Sequence, residues 1–243
     1  MSLPEAFRAR PFAHRGLWSP EGPPENSVGA IAAACAAGYG AELDVRITAD
    51  GEAVVFHDAT FERMTGVKGW VEETLFAEMR KLKLAGSEER IPTLSEVLAA
   101  AAGRSMLLIE LKTPAGQEGD LEERVARLLD AYEGPFAVIG FNAQSLAWFA
   151  RHRPKFLRGL DAERLSDEAL AETTLDLAHI FEGQVMMAKP HFLALDVAST
   201  TGRVARGYRA KGLPVAAWTV RSKDQVAAHA ADWDNYIFEG FTA

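Results

Sequence analysis

The amino-acid sequence predicts an α/β fold built on a mostly parallel sheet. Short apolar runs typical of strands alternate with helical stretches from one end of the chain to the other. Glycine directly follows several of the helical stretches, for example at Gly38 and Gly103, and glycine is the residue favoured just after a helix. Alternation of this kind over 243 residues is typical of a (β/α)₈ barrel or of a doubly wound sheet.

Each candidate strand is a short run rich in apolar residues. The candidate strands are Phe12–His14, Ala41–Ile47, Ala53–His57, Met106–Lys112, Phe136–Asn142, Phe156–Leu160, Phe192–Val197, Val215–Val220 and Tyr236–Glu239. The helices expected between them are Ser27–Ala37, Leu94–Ala102, Leu121–Tyr132, Ala143–Arg151, Asp167–Ala178, Thr200–Lys211 and Lys223–Ala230. Because a helix separates most pairs of successive strands, those strands are expected to run parallel.

One connection breaks the alternation. Asp50-Gly51 is a strong hairpin signal, and only Thr48–Glu52 separates the second and third candidate strands. A hairpin centred on this loop is expected to place Asp44 opposite His57. The residues that follow, 58–93, contain no clear βα unit, and we expect them to form an inserted excursion over one rim. No linker or internal repeat is visible, so residues 1–243 are expected to form a single domain.

Composition and charge limit the classes of function. The chain has 26 Lys and Arg residues against 34 Asp and Glu residues, a formal net charge of −8, which argues against nucleic-acid binding. No apolar run has the length of a membrane-spanning helix, so we expect no stable membrane insertion. The single cysteine, Cys35, cannot form an internal disulfide, and the first eleven residues lack the apolar core of a secretory signal. We therefore expect a cytoplasmic protein.

Acidic side chains recur on one face of two candidate strands. Side chains alternate between the faces of a strand, so Glu42 and Asp44 share a face, and Glu110 and Lys112 share a face on a later strand. Two neighbouring carboxylates repel each other, and a cation is the usual remedy. Glu42, Asp44 and Glu110 together form an oxygen-ligand set for Mg²⁺ or Ca²⁺. Taken separately, each pair is equally compatible with a salt-bridging role at the surface.

Two histidines stand at the ends of candidate strands, close to these carboxylates. His14 stands at the end of the first candidate strand, and His57 closes the third. Their ordinary pKa near 6.5 allows one to act as a base and the other as an acid near neutral pH. Arg15 and Lys112 supply positive charge near the same rim, which suits a phosphate group. The remaining histidines lack such partners, and we expect them to be structural; they are His152, His179, His191 and His229.

A series of short motifs resembles that of the glycerophosphodiester phosphodiesterase family. The motifs are His14-Arg15-Gly16, Pro24-Glu25-Asn26-Ser27, Glu42-Leu43-Asp44-Val45, His57-Asp58, Ile91-Pro92-Thr93-Leu94, Glu110-Leu111-Lys112 and Trp218-Thr219-Val220. The resemblance extends from about residue 12 to residue 239. It implies a (β/α)₈ TIM barrel with its site at the carboxyl ends of the strands, and it matches residues 58–93 to a small insertion after the third strand.

The resemblance also implies roles for individual residues. The positions matching the family's metal ligands hold a divalent cation, either Mg²⁺ or Ca²⁺, and they are Glu42, Asp44 and Glu110. The matching His14 and His57 act as the acid–base pair, and Arg15 and Lys112 contact the phosphate. Trp218 lies near the end of a candidate strand, and its indole ring is expected to pack against the glycerol carbons of the substrate.

These roles predict metal-dependent hydrolysis of a small-molecule glycerophosphodiester to glycerol 3-phosphate and an alcohol. A phospholipase-like enzyme acting on lipid or lysolipid is an alternative, although the insertion mixes its aromatic residues with glutamates that anionic lipid would repel. A second alternative is a phosphoester-binding module without turnover, which would be favoured by the loss of a histidine or carboxylate. The sequence leaves the oligomeric state, the leaving alcohol and the identity of the metal open.

Overall fold

The computed structural model describes residues 3–84 and 86–243 of the chain. The strands are β1 (Phe12–Ala13), β2 (Gly40–Ile47), β3 (Ala53–Val55), β4 (Leu107–Leu111), β5 (Phe136–Gly140), β6 (Leu157–Ala162), β7 (Phe192–Asp196), β8 (Val215–Val220) and β9 (Asn235–Phe238). Their positions lie close to the runs of apolar residues that predict them.

Helices follow most of the strands. They are α1 (Glu5–Ala9), α2 (Val28–Ala36), α3 (Glu62–Thr65), α4 (Phe76–Met79), α5 (Leu94–Ala101), α6 (Asp120–Asp130), α7 (Ala143–His152), α8 (Asp167–Glu172), α9 (Leu177–Ala188), α10 (Val197–Thr200), α11 (Arg203–Ala210) and α12 (Lys223–His229), with a 3₁₀ helix at Val71–Glu73. Within the described ranges, no helix is both long enough and apolar enough to cross a membrane.

The order of the strands is that of a (β/α)₈ barrel. Hydrogen bonding gives the order β1-β9-β8-β7-β6-β5-β4-β2-β3, and β1 also pairs with β2. The strand β3 is antiparallel to β2 and lies outside the ring of parallel strands. The predicted fold class, an α/β barrel with an insertion after the third strand, is therefore confirmed.

The Cα positions group into two compact units, Phe12–Phe136 and the remainder of the chain. The first unit contains β1–β4, and its strands β2 and β4 are buried along nearly their whole length, as expected of strands covered on both faces. The second unit contains β6–β9, and there the ring of Phe7 packs against Phe192 at 4.7 Å between ring centroids. That residues 1–243 form a single domain stays a prediction.

The register of the β2–β3 hairpin differs by one residue from the predicted one. Phe56, not His57, lies opposite Asp44, and its N–H donates to the carbonyl oxygen of Asp44 at 3.0 Å. The cause is the loop, which holds three residues, 49–51, with Gly51 at φ +80°. A loop with an odd number of residues shifts the register relative to a two-residue turn. The prediction that Asp44 faces His57 across the ladder is wrong, and His57 lies just beyond the strand.

One predicted helix is two helices in the structure. The sequence predicts a single helix over Asp167–Ala178, whereas α8 ends at Glu172 and α9 begins at Leu177. The side chain of Asp176 accepts a hydrogen bond from the N–H of His179 and so caps the start of α9. An aspartate that satisfies the N–H groups of the first turn favours a helix start at that point.

The insertion over residues 58–93 has a small core of its own, shared with the hairpin. Short helical turns at α3, at the 3₁₀ helix and at α4 replace the long helix of an ordinary βα unit. Their apolar side chains pack against the hairpin residues in one buried cluster of Val54, Phe56, Phe61, Met64, Val71, Met79, Leu84 and Ile91. This packing fixes the charged side chains of the insertion relative to the hairpin that carries Asp44.

Candidate active site

Three carboxylates converge where β2 pairs with β4. The parallel register places Asp44 beside Glu110 on the neighbouring strand, and Glu42 lies two residues before Asp44 on the same face. One oxygen from each of the three side chains lies within 4.8 Å of the other two. The alternation of side chains, together with this register, brings together the three residues predicted as metal ligands.

Glu42 is buried and only partly satisfied by hydrogen bonds. Its Oε2 accepts a hydrogen bond of 3.0 Å from the backbone N–H of Arg15, and the Nε2 of His14 lies 4.0 Å from the same oxygen. Its Oε1 has no hydrogen-bond partner among the described residues. Burial, together with the charges of Asp44 and Glu110, raises the pKa of Glu42 well above its usual value.

Asp44 is the most strongly stabilised anion of the three. Its Oδ2 accepts a hydrogen bond of 2.7 Å from the side-chain amide of Asn26, and its Oδ1 lies 3.0 Å from the Nζ of Lys112. Burial opposes its ionisation, but the positive charges of Lys112 and Arg15, together with that of His57 when its ring is protonated, hold the pKa of Asp44 well below its usual range. Asp44 is therefore charged at neutral pH.

Glu110 shares Lys112 with Asp44. The Nζ of Lys112 lies 2.5 Å from the Oε1 of Glu110. Burial and the charge of Asp44 nevertheless raise the pKa of Glu110 to about 7. Burial alone would lower the pKa of Lys112, but the surrounding carboxylates raise it, so the ammonium group stays charged. Lys112 is thus the counterion at the centre of the carboxylate cluster.

A divalent cation fits this set of donors. The cluster supplies hard oxygen ligands from three side chains, which are the ligands that Mg²⁺ and Ca²⁺ bind in proteins. The buried Oε1 of Glu42, which lacks a hydrogen bond among the described residues, is costly unless a cation or proton satisfies it. The pKa values of Glu42 and Glu110 are raised because the nearby positive charge does not compensate three buried carboxylates. A bound cation would supply the missing positive charge.

The turn after β1 aims Arg15 and His14 at these carboxylates. Arg15 adopts a left-handed conformation with φ +57°, which costs a non-glycine residue about 1 kcal/mol. The next residue, Gly16, has φ +82°, and a Cβ there would lie 2.6 Å from the carbonyl carbon of Ala30. The tight turn directs the N–H of Arg15 to Glu42, while the Nε of Arg15 lies 3.5 Å from Asp44.

His57 lies two residues after the end of β3 and is held through a ring nitrogen. The Nδ1 of His57 lies 2.8 Å from the Oδ1 of Asp58, and its carbonyl oxygen accepts a hydrogen bond of 2.8 Å from the Nε of Arg46. Burial lowers the pKa of His57, and the negative charge of Asp44 opposes that effect in part. The ionised Asp58 assigns the proton to Nδ1 and leaves Nε2 unprotonated in the neutral ring.

Trp218 lies on β8, in the second compact unit. Its ring meets that of Phe141 edge to face, with centroids 5.7 Å apart and an interplanar angle of 79°. Its indole Nε1 is buried and has no hydrogen-bond partner among the residues that the structure describes. The two rings form an aromatic surface in that unit, with Phe141 42% exposed.

The model of the glycerophosphoryl diester phosphodiesterase family matches residues 14–234. The chain belongs to this family. Among curated proteins, a glycerophosphodiester phosphodiesterase of Bacillus altitudinis is 31% identical over 228 residues, which cover 88% of the chain and 87% of the relative. Family membership confirms the resemblance read from the motifs and the enzyme class that it implies.

Further relatives differ in the extent of the match. A glycerophosphodiester phosphodiesterase of Caldanaerobacter subterraneus is 36% identical over 161 residues, covering 61% of the chain and 65% of that protein. Among solved structures, a phosphodiesterase of Oleispira antarctica in complex with the product sn-glycerol-3-phosphate superposes with a TM-score of 0.82 at 23% identity, covering 96% of the chain and 94% of that protein. At this identity the superposition supports the fold of this phosphodiesterase family member.

Two polar residues of the site were not assigned a role from the sequence. Asn26, also in a left-handed conformation, holds Asp44 by two hydrogen bonds, one to its carboxylate and one from its backbone N–H at 3.1 Å. Glu25 accepts a hydrogen bond of 2.9 Å from the Nη1 of Arg15. Both belong to the motif Pro24-Glu25-Asn26-Ser27. Its polar residues next to a proline could have marked them from the sequence as candidate residues of the site.

Proposed function

We propose that the protein hydrolyses glycerophosphodiesters to glycerol 3-phosphate and an alcohol, and that it requires a divalent cation. The observation that carries the proposal is the convergence of Glu42, Asp44 and Glu110 within 4.8 Å of one another, beside the cationic Lys112 and Arg15. Family membership supports the reaction class. The product complex of the Oleispira antarctica phosphodiesterase supports a small-molecule substrate that yields glycerol 3-phosphate.

In this proposal the three carboxylates hold the cation, either Mg²⁺ or Ca²⁺. When bound, the cation polarises the phosphoryl group and stabilises the negative charge that develops on its oxygens. Lys112 and Arg15 add positive charge for the same phosphate. Because Arg15 follows β1 and Lys112 follows β4, the two side chains approach the phosphate from different strands and should contact different oxygens.

His14 and His57 are the proposed acid–base pair. One takes the proton from the attacking oxygen, and the other donates a proton to the oxygen of the leaving alcohol. A water that attacks gives glycerol 3-phosphate directly. The glycerol 2-hydroxyl, if it attacks, gives a cyclic phosphate, which a water then opens to glycerol 3-phosphate with the two histidines in exchanged roles. Asp58 keeps the ring of His57 in one tautomer by accepting its Nδ1–H at 2.8 Å. Trp218 is the proposed contact for the glycerol carbons, for which its indole face offers an apolar surface.

Lys112 gives a direct test of phosphate binding. We expect Lys112→Met to weaken binding of glycerol 3-phosphate by roughly 10–100-fold, since a charge-assisted hydrogen bond is worth about 1.5–3 kcal/mol. Lys112→Arg should restore affinity only in part, because the planar fork cannot occupy the position of a point charge between Asp44 and Glu110. Isothermal titration with glycerol 3-phosphate measures the effect. Affinity equal to that of the parent in the Met variant would assign Lys112 to charge compensation alone.

The experiment that tests the proposed function is release of glycerol 3-phosphate from a panel of substrates. The panel contains water-soluble glycerophosphodiesters with different alcohols, together with a lysolipid and an intact lipid. We expect turnover of the soluble diesters with Mg²⁺ or Ca²⁺. Faster turnover of the lipids would favour the phospholipase-like alternative, and binding of the diesters without product would favour a binding module. A cytoplasmic location also stays a prediction.

A further inference from the structure

One arginine of the insertion contacts two carboxylates at once. Arg63, on α3, donates from Nε to the Oδ2 of Asp58 at 2.6 Å. Its two terminal nitrogens contact both oxygens of Glu25, with distances of 2.6 and 3.0 Å. A guanidinium group that uses its whole fork in this way is fixed in position and orientation.

Each of these carboxylates in turn holds one residue of the candidate site. The Oδ1 of Asp58 lies 2.8 Å from the Nδ1 of His57. The Oε1 of Glu25 accepts a hydrogen bond of 2.9 Å from the Nη1 of Arg15. An unbroken series of contacts therefore runs from His57 through Asp58, Arg63 and Glu25 to Arg15.

The charges of this series depend on Arg63. The side chain of Glu25 is only 8% exposed, whereas that of Arg63 is 47% exposed. Burial opposes ionisation of Glu25, but its hydrogen bonds and ion pairs with Arg63 and Arg15 lower its pKa. Removal of Arg63 would leave Glu25 and Asp58 with less compensation, and each would then be able to shift away from the residue it now orients.

The insertion holds Arg63 in place by packing. The neighbouring Phe61 and Met64 are buried in the cluster shared with the hairpin, and Gly66, in a left-handed conformation, directly follows α3. The same insertion also contacts His57 through Arg46. The Nε of Arg46 donates a hydrogen bond to the carbonyl oxygen of His57, and its Nη1 lies 2.6 Å from the Oε1 of Glu72 in the insertion. The insertion thus braces both the ring and the backbone of His57.

We propose that Arg63 is a positioning residue that orients His57 and Arg15 together. The three residues that carry this effect, Asp58, Arg63 and Glu25, are called the brace; one arm runs through Asp58 to His57 and the other through Glu25 to Arg15. The inference rests on the proposed function for the roles of His57 and Arg15. It assigns Arg63 no contact with the substrate. Its effect reaches the reaction through Asp58, which sets the ring of His57, and through Glu25, which sets the guanidinium group of Arg15.

The two arms of the brace predict different kinetic effects. Asp58→Asn should lower kcat by roughly tenfold or more, because misplacement of a catalytic group is costly, and should leave the affinity for inorganic phosphate near that of the parent. Glu25→Gln should instead raise the Kd for inorganic phosphate by roughly tenfold. Arg63→Met should show both effects. Steady-state kinetics with a soluble diester and calorimetric titration with inorganic phosphate separate them.

The matched control is Arg124→Met. Arg124 also pairs with a carboxylate in the same compact unit, Glu52, at 2.7 Å, and its side chain is 36% exposed, but it has no contact with the brace residues in the structure described. It should retain kcat and phosphate affinity, whatever the change in its melting temperature. Arg63→Lys should recover only part of the loss, since one ammonium group cannot reproduce the fork. Parental kcat and phosphate Kd in Arg63→Met, or equal losses in Arg124→Met, would overturn the inference.

Failure of the proposed function gives a different result. If the parent releases no glycerol 3-phosphate with either metal, the proposed reaction is wrong, but the brace is still decided without turnover. A rise in phosphate Kd in Arg63→Met, with a changed ¹⁵N spectrum of the His57 ring, would then support it. An unchanged Kd and ring spectrum, or a parent that binds no phosphate, would overturn it.

Discussion

Removal of the divalent cation is expected to abolish turnover and to leave the protein folded. The core that surrounds β2 and β4 is formed by apolar side chains such as Leu43, Leu108 and Ile109, which are fully buried, and these do not need an ion to pack. Glu42 and Glu110, in contrast, lose the charge that would compensate them and take up protons more readily, since their pKa values are raised in the absence of a metal, while Asp44 stays ionised beside Lys112. Activity in EDTA, circular dichroism and recovery on addition of Mg²⁺ or Ca²⁺ measure the effect.

The same expectation can be tested at a single ligand. Glu110→Gln keeps the shape of the side chain but removes its charge, and we expect kcat to fall by roughly 10²–10³-fold, as for loss of one electrostatic stabiliser of a transition state. The matched control is Glu122→Gln. Glu122 is also buried, but it accepts hydrogen bonds from Thr113 and from the N–H of Gly119 at 2.6 Å at the start of α6, a position where glutamine is also favoured.

The contrast between the two variants decides the prediction. Calorimetric titration with Mg²⁺ or Ca²⁺ should show weaker binding to Glu110→Gln and parental binding to Glu122→Gln. Full activity of the parent in excess EDTA would rule out the metal requirement. If Glu110→Gln binds the metal as tightly as the parent does, Glu110 is not a metal ligand, and the third carboxylate of the cluster has no function in this proposal.

Part of this site could be predicted because strands follow a simple rule. Alternation of side chains puts Glu42 and Asp44 on one face, and it does the same for Glu110 and Lys112. Alternation cannot say that β2 and β4 are neighbours, since the antiparallel β3 lies between them in the sequence. That step needs the strand order of the barrel, which the family resemblance implied and the local pattern did not.

Other features leave no local pattern in the sequence. Arg63 contacts Glu25, which lies 38 residues away in the sequence. The residues around Arg63 are those expected around any exposed arginine on a short helix, so they do not point to this contact. The hairpin register depended on whether two or three residues form the loop, which Asp50-Gly51 alone does not decide. The Arg63 contact depends on a residue far away in the sequence, and the hairpin register depends on the exact geometry of a turn. Local secondary-structure propensities predict neither.

Replacement of either proposed catalytic histidine is expected to lower kcat strongly. His14→Ala and His57→Ala should each reduce kcat by roughly 10²–10⁴-fold, the usual contribution of a positioned acid or base. The matched control for His57 is His229→Ala. The Nδ1 of His229 lies 3.0 Å from the Oδ2 of Asp232, and its side chain is 34% exposed, close to the 33% of His57 beside Asp58. His229→Ala should retain the kcat of the parent.

The pH dependence of kcat gives the second half of this prediction. One histidine must be neutral to accept a proton while the other must be charged to donate one, so the profile should be bell-shaped. Burial lowers the pKa of His57 below its usual 6.5, so His57 is neutral at pH 7 and suits the role of the base. It becomes protonated only as the pH falls through that lowered value, and kcat should fall with it. We therefore expect the acidic limb of the profile to lie below pH 6.5 and to be lost in His57→Ala. A parental profile with a single limb, together with an active His57→Ala variant, would contradict the assignment of the two histidines as a pair.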